Sequence, residues 1–306
     1  MAGRRIAFVG EGMVELRQEA DGTCRLGHGG DTLNTAIHMA RLGCDVAYIT
    51  AVGDDPFSKQ LIAAWAGEGL DCSAIPADPV RGAGLYAITL DAAGERSFTY
   101  WRSDSAARQM FTMPASNVLI DAVRRSGAMA FSLISLAILP EKGRHALVTL
   151  ARSVRENGGL VAFDGNYRPR LWADAATAAR WRDRAIAASN VGLPTLDDEI
   201  AMGGPSGPDQ IAKHWQSLGC EETVVKMGAL GCRLPDGAIV APPARLQPVD
   251  TSGAGDAFNG GYLAARMEGC SPAEAASKGH ALASWTIMRP GAIPPRDGAA
   301  PYRVDA

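Results

Sequence analysis

The sequence lacks the marks of several common protein classes. It has no CxxC pair, and no cysteine pairs with histidine at zinc-finger spacing. Its six cysteines, Cys24, Cys44, Cys72, Cys220, Cys232 and Cys270, are scattered. That excludes a zinc ribbon or a stapled scaffold and predicts reduced, small apolar side chains. No run approaches the roughly 18 apolar residues that a membrane span needs. The run Ile6–Val9 behind Arg4 and Arg5 is too short for a signal peptide, so a cytoplasmic protein is expected. Charge of one sign is equally scarce. The 30 Lys and Arg nearly balance 33 Asp and Glu, and a net charge of -3 argues against a nucleic-acid or polybasic membrane surface. There is no GxxxxGK[ST] loop and no GxSxG elbow, so Walker-type and α/β-hydrolase sites are excluded. Gly10-Glu11-Gly12 begins like a dinucleotide fingerprint, but the third glycine is absent. The five histidines have no metal-binding spacing.

What is present is an ordinary globular composition, 47% apolar and 21% charged, with 35 glycines. The length of 306 residues suffices for a sizeable core. Short apolar runs at Ile6–Gly10, Val46–Val52, Ala128–Leu136, Leu160–Phe163 and Thr223–Val225 read as strands buried on both faces. Helical patterns lie between and after them. They cover Asp31–Leu42, a helix opened by Asp55-Pro56, Glu141–Asn157, and about Asp174–Ala188, Pro208–Leu218, Gly255–Glu268 and Pro272–Met288. The alternation predicts a mostly parallel sheet with helices on both faces. Two stretches break it. Met13–Leu26 and Gly84–Arg102 read as antiparallel strand pairs with turns at Asp21-Gly22 and Ala93-Gly94, enough for a small lid.

Four segments carry candidate chemistry. Asp250-Thr251-Ser252-Gly253-Ala254-Gly255-Asp256-Ala257-Phe258 runs small residues straight into an amphipathic helix. Free amides at such a helix start favour an anion, and Asp256 there suits a base that takes a proton from an attacking hydroxyl. The segment equally fits a helix with an acid in its first turn. In Gly29-Gly30-Asp31-Thr32-Leu33-Asn34-Thr35-Ala36, Asp31 caps a helix and shares a face with Asn34 and His38. Such a stripe holds a polyhydroxylated ligand or meets water. Val224–Gly231 is a strand entering a glycine turn, suited to a nucleotide or to a plain hairpin. Phe163–Arg170 follows a buried strand, at the carboxyl end where open α/β sheets bind ligands. Arg102 and Arg168, from different segments, could grip a carboxylate, whereas Arg170 reads as surface.

Together these motifs resemble the ribokinase-like (PfkB) carbohydrate kinases. Gly29–Ala36 is similar to the family's N-terminal signature and Asp250–Phe258 to its C-terminal one. Their order and separation match, and the resemblance covers essentially the whole chain. Within the family, Gly29–Thr35, Gly94–Arg102, Ser135–Leu139 and Asn166–Trp172 are most similar to the kinases of 2-keto-3-deoxygluconate. The resemblance implies an α/β fold. This is a ribokinase-like three-layer αβα sandwich of one domain over 1–306, with a β-sheet lid inserted at about 12–29 and 81–104. It implies transfer of the γ-phosphoryl group of ATP to O6 of the sugar acid, with Mg2+ and a monovalent cation such as K+ as cofactors. Asp256 would be the base, with no need of a raised pKa. The amides of Gly253, Ala254 and Gly255 would form the anion hole. Gly30, Asn34, Tyr86, Tyr100, Arg102 and Arg168 would contact the sugar acid. Thr195, Lys226, Gly228, Gly231 and His280 would contact ATP. Relatives often carry Asn-x-x-Glu near the metal. Here Pro194-Thr195-Leu196-Asp197-Asp198-Glu199 departs from it, which leaves Asp198 or Glu199 to act through water. The implied partners are a small sugar acid and ATP, no nucleic acid or membrane, and a second copy in a homodimer or higher homo-oligomer, since exposed lid edges invite pairing. A neutral-sugar kinase of the fructokinase or ribokinase type is the alternative, followed by a non-catalytic sugar-binding protein.

Overall fold

A computed structural model of the chain describes residues 5–19, 21–90 and 96–302. Six strands form a wholly parallel central sheet in the order Glu222–Thr223, Val191–Gly192, Leu160–Asp164, Ala128–Ser132, Ile6–Val9 and Val46–Ile49. Successive strand residues point to opposite faces, so each strand feeds two helical layers. Ala7, Val9, Phe131 and Phe163 enter a core with Leu147, Ile186 and Trp215. Ile6, Phe8, Ala130 and Ala162 enter the other with Leu33, Ile37, Phe258 and Tyr262. This is the three-layer α/β architecture that the alternation predicts. Among the described residues no helix is long and apolar enough to cross a membrane.

Past Thr223 the outer strand keeps its line. Val224 N–H donates to Gly192 O and Lys226 N–H to Pro194 O, both at 2.8 Å. Val225–Lys226 then pairs antiparallel with Cys232–Arg233, which pairs with Ile239–Val240. A separate four-stranded sheet has the order Cys24–Gly29, Met13–Gln18, Gly84–Leu90, Arg96–Trp101. Both hairpins are antiparallel, as expected, and they join through a parallel pair from Met13↔Gly84 to Arg17↔Ile88. The expected turn at Ala93-Gly94 lies outside the described residues.

Some elements differ from the sequence reading. The apolar run from Ala128 is a strand only to Ser132, and Leu133–Ile138 is helical. Ser132 stops the strand by capping: its Oγ accepts from Ser135 N–H, and Ser135 Oγ accepts from Ser132 N–H, both at 3.1 Å. Periodicity alone cannot separate buried strand from buried helix in such a run. The helices Ser116–Ser126 and Leu196–Ala201 and the two-residue strand Val191–Gly192 had no distinct pattern. Asp31 does not cap the Asp31–Arg41 helix. Gly30 is the cap residue, without a side-chain bond. Its φ of 151° and a hypothetical Cβ only 2.2 Å from Glu11 O require glycine.

Candidate functional site

At the carboxyl end of the central sheet two cavities meet at the start of the Ala254–Met267 helix. Gly253 caps this helix at φ 69°, and a Cβ there would lie 2.5 Å from Ala292 Cβ. Ala257 N–H closes the first turn onto Gly253 O at 2.8 Å, and Ala254 N–H folds back to Thr251 O at 3.2 Å. The amides of Gly253, Gly255 and Asp256 are left without an acceptor among the described residues. The free donors thus include Asp256's own amide, while that of Ala254 is engaged. Unmatched amides and the helix dipole make this turn attractive to an anion.

The first cavity, about 460 Å³, is polar, and Asp31, Asp164, Asp198 and Asp256 all line it. Asp256 accepts from Asn34 Nδ2 at 2.8 Å. Burial, with the charge of Asp31 behind it, pushes its carboxyl up to about 7, against the pull of Asn34 and Lys226. Burial also raises Asp31 and Asp198. Lys226 Nζ lies 3.0 Å from Asp164 Oδ1 and 3.1 Å from Asn259 Oδ1, and Asn259 Nδ2 donates to Asp164 Oδ2 at 2.9 Å. This closed triangle holds a lysine at the edge of both cavities.

The small sheet covers this cavity with its inner face. Tyr86 donates to Glu15, and its ring stacks on Tyr100 with centroids 5.8 Å apart. Arg102 lies over Tyr100 at 6.0 Å, and its Nε donates to Glu11 Oε2 at 2.7 Å. Glu11 is only 2% exposed and also accepts from Ser105 Oγ. Arg168 is more exposed, 3.5 Å from Asp198 Oδ1. Gly30, Asn34, Tyr86, Tyr100, Arg102 and Arg168 therefore line one cavity, although they come from four separate stretches of chain.

The second cavity, about 560 Å³, is mainly apolar. Gly228, Gly231, Leu246, Phe258, His280 and Ile287 line it, and it shares Lys226, Thr251, Ala254 and Gly255 with the first. His280 lies 3.0 Å from Val240 O and tilts against Phe258, and burial lowers its pKa. Of the residues expected to contact ATP, Thr195 lines the polar cavity instead, where it bridges Lys226. Asp198 faces the polar cavity as well. Glu199 does not, since Arg182 at 2.6 Å and Trp215 Nε1 at 3.0 Å engage its carboxylate in the core.

A family model for pfkB family carbohydrate kinases matches residues 4–298. The chain belongs to that family. The kinase is 39% identical over 304 residues to the 2-dehydro-3-deoxygluconokinase of Escherichia coli (strain K12), covering 96% of this chain and 98% of the relative. It is 40% identical over 305 residues to that of Dickeya dadantii (strain 3937), with the same coverage. A fructokinase of Klebsiella pneumoniae is 30% identical over 266 residues, covering 85% of this chain and 83% of the relative. Among solved structures, aminoimidazole riboside kinase from Salmonella enterica complexed with aminoimidazole riboside and an ATP analog is 26% identical. It superposes with a TM-score of 0.79 over 97% of each chain. Membership implies ATP and a divalent metal ion.

Glu11, Asp164 and Asn259 were not singled out as site residues from the sequence. A signal existed for two of them. Asn259 lies three residues beyond Asp256, on the same helical face, and Asp164 follows a buried strand at its carboxyl end. Glu11 had none, because its partners Arg102 and Ser105 are more than ninety positions away.

Proposed function

We propose that this kinase transfers the γ-phosphoryl group of ATP to O6 of 2-keto-3-deoxygluconate, also called 2-dehydro-3-deoxygluconate, giving 2-keto-3-deoxy-6-phosphogluconate. The observation that carries the proposal is the free-amide turn at Gly253–Asp256, standing where a polar and an apolar cavity meet. The names of the 39–40% identical relatives support the choice of acid. ATP lies in the apolar cavity against Gly228, Gly231 and His280, with its phosphates reaching Lys226 and Thr195. The sugar acid lies in the polar cavity with its carboxylate towards Arg102 and Arg168, beside Gly30, Asn34, Tyr86 and Tyr100. The turn's amides hold the migrating phosphoryl oxygens, and the Asp256 carboxylate takes the O6 proton. One well-placed donor of this kind contributes about 3 kcal/mol in the transition state.

The metal fits the donor set. Asp164 and Asp198 bring carboxylates to the cavity, and burial, with the charge of Asp164 nearby, raises the pKa of Asp198, which a cation would relieve. Among the described residues no three His, Cys, Asp or Glu side chains could hold a metal between them. Mg2+ bound with ATP and reached through water by Asp198 suits that arrangement. A monovalent cation such as K+ belongs to the same proposal. The small sheet is the lid, over about 12–29 and 81–104 of the single 1–306 domain, and its closure excludes water from the transfer. The protein works in the cytoplasm, as a homodimer or higher homo-oligomer through lid edges.

A coupled ADP-release assay with 2-keto-3-deoxygluconate, 2-keto-gluconate, fructose and ribose in parallel tests the substrate. Fastest turnover per KM with 2-keto-3-deoxygluconate is expected. Preference for fructose or ribose would overturn the acid reading. Repeating the assay without Mg2+ and without K+ tests each ion.

A further inference from the structure

The first turn of the Asp31–Arg41 helix brings two hydrogen-bond acceptors to the polar cavity. Asn34 spends its amide N–H on Asp256, while its buried Oδ1 has no partner. Asn34 is 7% exposed, so an unmet acceptor there is costly unless a ligand supplies a donor. Asp31 lies three residues earlier on the same helical face and lines the same cavity. It accepts from Asn166 Nδ2 at 3.2 Å and lies against the Ser132 hydroxyl and the Thr32 amide, which still leaves room within a carboxylate's capacity of about four hydrogen bonds. Gly30 caps the helix in its place. A nucleotide's phosphates are anionic and rich in acceptors, and the Asp31 carboxylate would repel them. Hydroxyl groups are the donors that match.

We propose that Asp31, beside Asn34 Oδ1, reads the middle hydroxyls of the sugar acid and is the residue that sets which C4 epimer the kinase accepts. The inference rests on the substrate reading above. In a 2-keto-3-deoxy acid C2 is a ketone and C3 bears no oxygen, so only O4 and O5 lie between the carboxylate end and O6. Asn34 bonds Asp256, the group that receives the O6 proton, and is placed for the neighbouring O5. Asp31, the other acceptor of this turn, is left for O4. Inverting C4 turns that hydroxyl away and strands the Asp31 carboxylate without its donor, which is how a polar site rejects an isomer.

The test compares kcat/KM for 2-keto-3-deoxygluconate and its C4 epimer 2-keto-3-deoxygalactonate in the wild type, Asp31→Ala and Asp31→Asn. Asp31→Ala is expected to lower kcat/KM for the preferred epimer about 10- to 100-fold. It should bring the ratio between epimers close to one and leave KM for ATP unchanged. Asp31→Asn, nearly isosteric, should fall between the two and carries the test if the alanine variant is poorly folded. A purely electrostatic or structural role would lower both epimers alike. An epimer ratio that survives in both variants overturns the inference, as does a wild type that takes both epimers equally. A wild type that phosphorylates neither acid instead overturns the substrate reading itself.

Discussion

The two cavities are similar in size and opposite in chemistry. The polar one, about 460 Å³, has five aspartates in its wall and is covered by strands of the small sheet. The apolar one, about 560 Å³, is built from glycine, alanine, proline and leucine on loops and on the two C-terminal helices. Charge in the first is costly and is managed locally: Asp164 is tied to Lys226 and Asn259, Glu11 to Arg102, and Glu15 to Tyr86. The second relies on shape, with a single buried histidine. A ligand with hydroxyls and a carboxylate suits the first, and a flat base suits the second. The difference teaches where the proposed transfer would take place: at the wall of Lys226, Thr251, Ala254 and Gly255, which both cavities share.

Breaking the polar side at its centre has the largest expected effect. Asp256→Asn should lower turnover about 10²- to 10⁴-fold in an ADP-release assay. Because the Asp256 carboxyl is raised to about 7, wild-type kcat/KM should fall as pH drops through about 7. Stability runs the other way. A folded-state value above the ordinary one favours the native state at low pH, and that contribution is lost as pH rises through about 7. Asp256→Asn should therefore raise the melting temperature at pH 8 while removing activity. An equal or lower melting temperature would show that the buried charge is not strained.

Next comes the glycine turn that leads into the shared wall. Gly253→Ala should reduce kcat about 10²-fold, since the left-handed cap and Ala292 leave no room for a methyl group and the amides behind it must shift. It should lower the melting temperature as well. Arg102→Ala should then raise KM for the sugar acid about 10- to 100-fold and leave KM for ATP unchanged. Equal shifts in both would remove the carboxylate assignment. The melting temperature should also drop, because Glu11 is left buried without its ion pair. The smallest effect is expected on the apolar side. His280→Leu should raise KM for ATP about 2- to 10-fold through lost packing and hydrogen bonding, with KM for the sugar acid unmoved.

Much of this site was legible in the sequence, for local reasons. A run of small residues ahead of an acidic helix start can be read without coordinates, because helix termini leave their donors free whatever surrounds them. Gly29–Asn34 was legible in the same way, as a turn followed by a polar stripe. Asp31 was misjudged there. A first-turn aspartate is usually explained by its own helix, and only the Gly30 cap shows that this one is not so used. The resemblance implies no raised pKa for Asp256, yet burial, with Asp31 and Asp164 gathered around it, raises it. Long-range like charges leave no trace in spacing. The strand from Ala128 was overrun for another reason: the two serines that end it look like any others until they face each other.

The sequence by itself determined the class of the molecule. Apolar runs covered on both faces, helices between them, two amphipathic hairpins and a glycine turn into an acidic helix are local patterns, fixed by backbone sterics and burial. Only the tertiary structure decided that Asp31, Asp164, Asp198 and Asp256 share one wall, that Glu11 holds Arg102, that Glu199 belongs to the core, and that two cavities of opposite polarity open on one turn. Those facts depend on which distant segments the parallel sheet brings to its carboxyl edge. Electrostatic and hydrogen-bond energies follow distance in space, and distance along the chain does not report it.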